Sequence, residues 1–128
     1  MILGVIDEHY EARVLLPIQH GTEVRRISFL VDTGFNGYLA LPMSVVMEMG
    51  IPLVNVQVGK TADGRMDYVD TVDVRVQWDG RYQLVRAQVL EEPMIGTRLL
   101  RGHFIRTFWE AGAACLITSA AEAPVTPF

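Results

Sequence analysis

Several chemistries are excluded by what this sequence lacks. It holds one cysteine, Cys115, among 128 residues, so no disulfide can close within the chain. Cys115 lies in the apolar run Ala113-Ala114-Cys115-Leu116-Ile117 and reads as a small buried residue, not a reactive thiol. The three histidines, His9, His20 and His103, have no metal-ligand spacing, and neither Cys-x-x-Cys nor His-Glu-x-x-His occurs. No metal and no cofactor are therefore expected. Ser28 and Ser44 lack the elbow motif of a serine nucleophile, and glycine-rich phosphate loops are absent. No apolar stretch nears the roughly 18 residues that cross a bilayer. The N-terminus, Met1 to Asp7, has no basic leader, so the expected location is the cytoplasm. Positive charge is scarce as well. Eleven Lys and Arg face fifteen Asp and Glu, for a net charge of −4 without long runs of one sign. That argues against nucleic acid or an anionic membrane as partner. The exception is a local basic spot around Arg98, Arg101 and Arg106.

What is present points to a folded chain of strands. Half of the residues are hydrophobic, enough for a core, and the length suits one domain. Apolar residues recur with period two in Val14, Leu16 and Ile18, then in Ile27, Phe29 and Val31, with the turn His20-Gly21-Thr22-Glu23 between. Val54, Val56 and Val58 alternate before the turn Ala62-Asp63-Gly64-Arg65. Val72, Val74, Val76 and Trp78 alternate before Asp79-Gly80, which returns the chain through Tyr82 and Leu84 to Val89. Asp-Gly between alternating apolar runs is a strong hairpin signal.

Two segments depart from that period. Pro42 to Met49, ended by Gly50, reads as a short helix, and Gly96 to Gly102 as a second with Thr97 as its cap. A last strand is expected over Ala113 to Ile117. The expected organisation is one domain over residues 1–118 with a tail over 119–128, mainly β, as a closed or barrel-like sheet with one or two short helices. Asp67, Asp70 and Asp73, spaced by three, fall on alternating faces of a strand and read as solvated surface. Trp78 and Trp109 read as core or edge residues before cleft residues.

The chemistry concentrates in Phe29-Leu30-Val31-Asp32-Thr33-Gly34. An apolar strand delivers a carboxylate to its end, partly desolvated, and Gly34 permits a sharp turn and a close approach. Alone, Asp-Thr-Gly is weak, because Asp and Gly are common in turns. The surroundings add specificity. Phe35-Asn36-Gly37-Tyr38-Leu39-Ala40-Leu41-Pro42 leads back into an apolar strand. Met94-Ile95-Gly96-Thr97-Arg98-Leu99-Leu100, an apolar pair and a glycine opening a helix, follows about sixty positions downstream. Between them lies a hairpin tipped by Asp63-Gly64. In this order the elements resemble the retropepsin-like (clan AA) aspartic proteases, in particular their small single-domain bacterial type, over roughly residues 5–118.

The resemblance implies a retropepsin-like acid-protease barrel and a role for each matching position. Asp32 takes the catalytic place. Thr33 takes the place of the threonine that locks two active-site loops across a symmetry axis, and Gly34 that of the glycine beside the scissile bond. Ile95 and Gly96 take the place of the pair packed beneath the catalytic loop. Asp63 and Gly64 fall in the flap, about Val58 to Tyr68, which closes over an extended peptide. Hydrolysis without a metal needs one group to take a proton from water and another to protonate the carbonyl oxygen. The chain has a single Asp-Thr-Gly, so the second carboxylate is expected from a second copy. The implied activity is aspartic endopeptidase and the implied partners are a peptide or protein substrate and a homodimer mate. The family's charged pair is replaced by neutral Asn36 and Thr97, with Arg98 one place displaced. That keeps open an alternative: a catalytically weak or inactive binding or dimerisation module of the same fold.

Overall fold

Two tight turns set the register of the longest hairpins in the computed structural model, which describes residues 1–60 and 63–122. Strand β2 (Ala12–His20) turns at Gly21-Thr22 into β3 (Glu23–Val31), with His20 opposite Glu23. Strand β6 (Met66–Trp78) turns at Asp79-Gly80 into β7 (Arg81–Val89), with Trp78 opposite Arg81. Both residues of the second turn have positive φ, 54° at Asp79 and 78° at Gly80, the pairing that matches the twist of two-residue hairpins.

Closure comes from pairings that are distant in sequence. Strand β4 (Leu39–Leu41) runs parallel to β7 and antiparallel to β8 (Met94–Ile95). Strand β8 runs parallel to β3, with Val31 opposite Ile95. Strand β2 reaches β6 at Ile18–Val76 and Gln19–Arg75. The ring β6-β7-β4-β8-β3-β2 therefore closes on itself as a six-stranded barrel, which removes its edges. Outside the ring, among the described residues β5 (Asn55–Lys60) pairs only with the first half of β6. Strands β1 (Ile2–Ile6), β10 (Ala114–Ser119) and β9 (His103–Thr107) continue the sheet beyond β2.

The alternating residues fill this ring. Val14, Leu16, Ile18, Phe29, Val72, Val74 and Val76 are all buried, as are Leu39, Leu41 and Ile95. Burying each such side chain contributes about 1.5–3 kcal/mol. Val54, Val56 and Val58 differ: they alternate in the same way yet stand 47–49% exposed, because no described residue covers that face of β5 and of the residue before it. Cys115 is fully buried, as expected, and burial pushes its thiol pKa up. Trp78 is buried as well, while Trp109 is exposed.

Helix α1 (Met43–Glu48) begins after Pro42 and ends before Gly50, whose φ is +66°. Helix α2 (Thr97–Leu100) corrects one expectation. Gly96, not Thr97, occupies the cap position, and Thr97 is the first helical residue. Strands β1 and β9 carry no period-two signal, and β10 begins one residue later and ends two later than Ala113 to Ile117. Ser119 still pairs with His103, and Glu122 meets the amino group of Met1 at 2.6 Å. Residues 123–128 of the expected tail, and Ala62 of the expected turn, lie outside the described residues. Among the described residues no helix is long and apolar enough to cross a membrane.

Candidate active site

Strand β3 ends at Val31 and hands Asp32 to a loop that is held by its own backbone. The Asp32 N–H donates to the Ile95 carbonyl at 3.0 Å, extending the parallel β3–β8 ladder by one step. The Asp32 carbonyl accepts from Phe35 N–H at 3.1 Å, and its Oδ1 accepts from Gly34 N–H at 2.8 Å. Backbone and side chain thus both close the turn, and the half-buried carboxylate keeps Oδ2 for other partners. Thr33 and Gly34 are exposed beside it.

The loop then folds over the start of α2. The Phe35 carbonyl accepts from Thr97 N–H at 2.8 Å and from its hydroxyl at 3.4 Å. The Gly37 carbonyl accepts from Arg98 N–H at 3.2 Å, and the Tyr38 carbonyl from Gly96 N–H at 3.1 Å. The loop therefore supplies the acceptors that the first N–H groups of a helix lack internally. Such a close approach requires glycine at 96: a Cβ there would stand 2.1 Å from the Gly37 carbonyl oxygen and 2.7 Å from that of Phe35. Ile95, fully buried, faces Leu39 of β4 across the ladder. The structure thus brings Asp32, Thr33 and Gly34 together with Ile95 and Gly96.

Asp63 and Gly64 lie elsewhere, at the exposed end of the β5–β6 hairpin beyond the pair Lys60–Met66. Asp63 Oδ1 accepts from Arg65 N–H at 3.2 Å, and Arg65 Nε meets Asp63 Oδ2 at 3.1 Å. Gly64 adopts φ +87°, a conformation that suits glycine.

A pocket of about 330 Å³ opens beside the Asp32 loop. Asn36 and Tyr38 form one wall, and Gln57 of β5, Arg86 and Gln88 of β7, and Arg98 of α2 form the rest. The spacing of the sequence does not reveal Gln57, Arg86 or Gln88 as neighbours of the loop. They arrive through the β5–β6 and parallel β4–β7 pairings, the latter setting Gln88 opposite Ala40. Arg86 Nε lies 3.0 Å from Asp73 Oδ1 across the β6–β7 ladder, and that hydrogen bond raises the guanidinium pKa. Among the described residues no three His, Cys, Asp or Glu side chains gather as a metal site.

No family model matches the chain, and no curated protein matches it either. Among solved structures it is similar to the retroviral EIAV protease complexed with the inhibitor HBY-793. The likeness has a TM-score of 0.50 at 15% sequence identity and covers 70% of this chain and 84% of that one. At that identity the likeness speaks for architecture alone. The chain has a retropepsin-like fold, mainly β, with a closed six-stranded barrel and two short helices.

Proposed function

We propose that the chain is an aspartic endopeptidase that works as a homodimer, each copy contributing one Asp32. The observation that carries this reading is the Asp32 turn itself. A half-buried carboxylate stands at a strand end, one oxygen held by Gly34 N–H, in a loop clamped onto Ile95 and Gly96. The fold likeness to a protease solved with an inhibitor supports it.

In this reading two Asp32 carboxylates face each other about 3 Å apart and share one proton, since like charges at that distance do not both ionise. The ionised carboxylate takes a proton from water as its oxygen attacks the peptide carbonyl carbon. The protonated one gives its proton to the carbonyl oxygen. Collapse of the resulting diol breaks the C–N bond: the protonated Asp32 gives its proton to the leaving nitrogen, and a diol hydroxyl returns its proton to the ionised Asp32, which restores the singly protonated dyad. Thr33, exposed next to Asp32, would tie the two loops together, and Gly34 would leave room for the substrate backbone. Asp63 and Gly64 would close over the peptide from the β5–β6 hairpin.

The test is cleavage of a diverse peptide library between about pH 3 and 7 by wild type and by Asp32→Asn. The substituted amide still accepts the Gly34 N–H, so the fold should persist while activity falls by about 100-fold or more. Activity that survives the substitution would remove Asp32 from the mechanism. A second reading, a binding or dimerisation module without turnover, has one observation in its favour. Thr97 donates its hydroxyl to Phe35 within the same chain, and Asn36 beside it is neutral. Dimers that cleave nothing across that pH range would select this second reading.

A further inference from the structure

Residues far apart in sequence meet in a second pocket, of about 400 Å³, beside the β6–β7 turn. Its wall joins Trp78, Asp79 and Arg81 with Arg98 of α2, Arg101 just after it, and His103 of β9. The charge here opposes that of the chain, which is −4. Three arginines face one carboxylate, and that carboxylate is already engaged: Asp79 Oδ2 lies 2.8 Å from His103 Nε2.

The arginines themselves are unengaged. Among the described residues none of the guanidinium groups of Arg81, Arg98 and Arg101 makes a hydrogen bond or ion pair. Arg13, Arg25, Arg65 and Arg86 each meet a carboxylate, whereas Arg26, Arg75 and Arg106 also make no such contact among the described residues but do not line this pocket. The base of the pocket is fixed. His103 is buried to 8% side-chain exposure, its Nδ1 lies 3.0 Å from the Arg101 carbonyl, and its ring lies 5.2 Å from that of Trp78. Trp78 Nε1 is buried without a hydrogen-bond partner, which is a destabilising state for an indole donor. Three unpaired guanidinium forks around one concavity suit a planar oxyanion, which each fork can engage through two donors.

This pocket adjoins the one lined by Phe35, Asn36 and Gly37, the residues that follow the Asp32 turn. Tyr38 and Arg98 line both. A chain lying along the Asp32 loop would therefore present a neighbouring side chain to the arginines. We propose that the pocket is an anion-recognition subsite that takes the carboxylate of an acidic side chain in the bound peptide. The identity of the ligand rests on the endopeptidase reading, whereas the anion preference rests on the arginines alone.

Calorimetric binding to the full chain carrying Asp32→Asn, which prevents turnover, tests it. Three peptides of equal length would carry Glu, Gln or Lys on both sides of a common apolar centre, and inorganic pyrophosphate would be the fourth probe. The Glu peptide should bind about tenfold tighter than the Gln peptide, with Lys weakest, and the preference should shrink as salt is raised. The exposed pair Arg81→Gln and Arg101→Gln together should remove most of the preference and leave binding of the Gln peptide unchanged. Equal binding of Glu and Gln peptides, no binding by any peptide, or a preference that survives the double substitution would overturn the proposal. Pyrophosphate binding more tightly than the Glu peptide through the same arginines would overturn the peptide as ligand in favour of a free phosphate. Failure of the endopeptidase reading looks different: wild type cleaves none of the peptides, while the Glu preference in binding stands.

Discussion

At Gly96 the whole loop depends on the absence of one carbon. A methyl group there would collide with two backbone carbonyls, and backbone cannot swing aside as a side chain can. Gly96→Ala should lower stability in urea by about 3 kcal/mol or more. Gly59→Ala is the control, since its added carbon meets nothing within 4 Å. It should be neutral or gain about 0.5 kcal/mol from the stiffer backbone. Similar losses at both sites would contradict this account of Gly96. Asp7 gives a prediction in pH. Its carboxylate accepts N–H bonds from Glu11 and His9 and faces Arg13, and these hold its pKa below the usual carboxylate range, the Glu11 bond first. A depressed folded pKa adds stability above the unfolded value of about 3.9, and this is lost as pH falls through the folded value. Asp7→Asn should therefore be less stable than wild type at pH 7, and the gap should begin to narrow below about pH 3.9 and close only once pH has fallen through the lower folded value. Urea titrations at pH 7 and below the folded value decide it, and a gap that stays constant would refute the linkage.

Among the elements, what could be read in advance follows from how local each cause is. The Asp79-Gly80 hairpin was legible because two adjacent residues carry its positive φ angles. The strand into Asp32 was legible because Ile27, Phe29 and Val31 alternate, and so was the glycine at 96 as the opening of a helix. Strand β9 was not, since Phe104, Ile105 and Arg106 are all exposed and leave no period. The walls of both pockets were not, because the parallel pairing of β4 with β7 and the approach of α2 to the β6–β7 turn join segments distant in sequence. Equal patterns also concealed unequal burial. Val58 and Val74 alternate alike, yet Val58 is 48% exposed and Val74 is 1% exposed. Val74→Thr should cost about 2 kcal/mol, from burying a hydroxyl, and Val58→Thr less than about 0.5 kcal/mol. Urea midpoints that shift equally would place β5 against a surface that a single chain does not have.

On the scale of the whole molecule, a closed barrel carries a single Asp-Thr-Gly at its surface, and the chemistry proposed for it needs two. The fold alone does not supply activity. Sedimentation should therefore show a concentration-dependent dimer, and a strict monomer at active concentrations would remove the shared dyad. The most direct measurement mixes the two kinds of chain. Wild type and Asp32→Asn are combined in equal amounts under conditions that exchange subunits, and peptide cleavage is compared with an equal total of wild type. If one site needs two Asp32 residues, random pairing leaves activity at about one quarter. Activity at about one half would mean that each chain works alone, and would contradict the account.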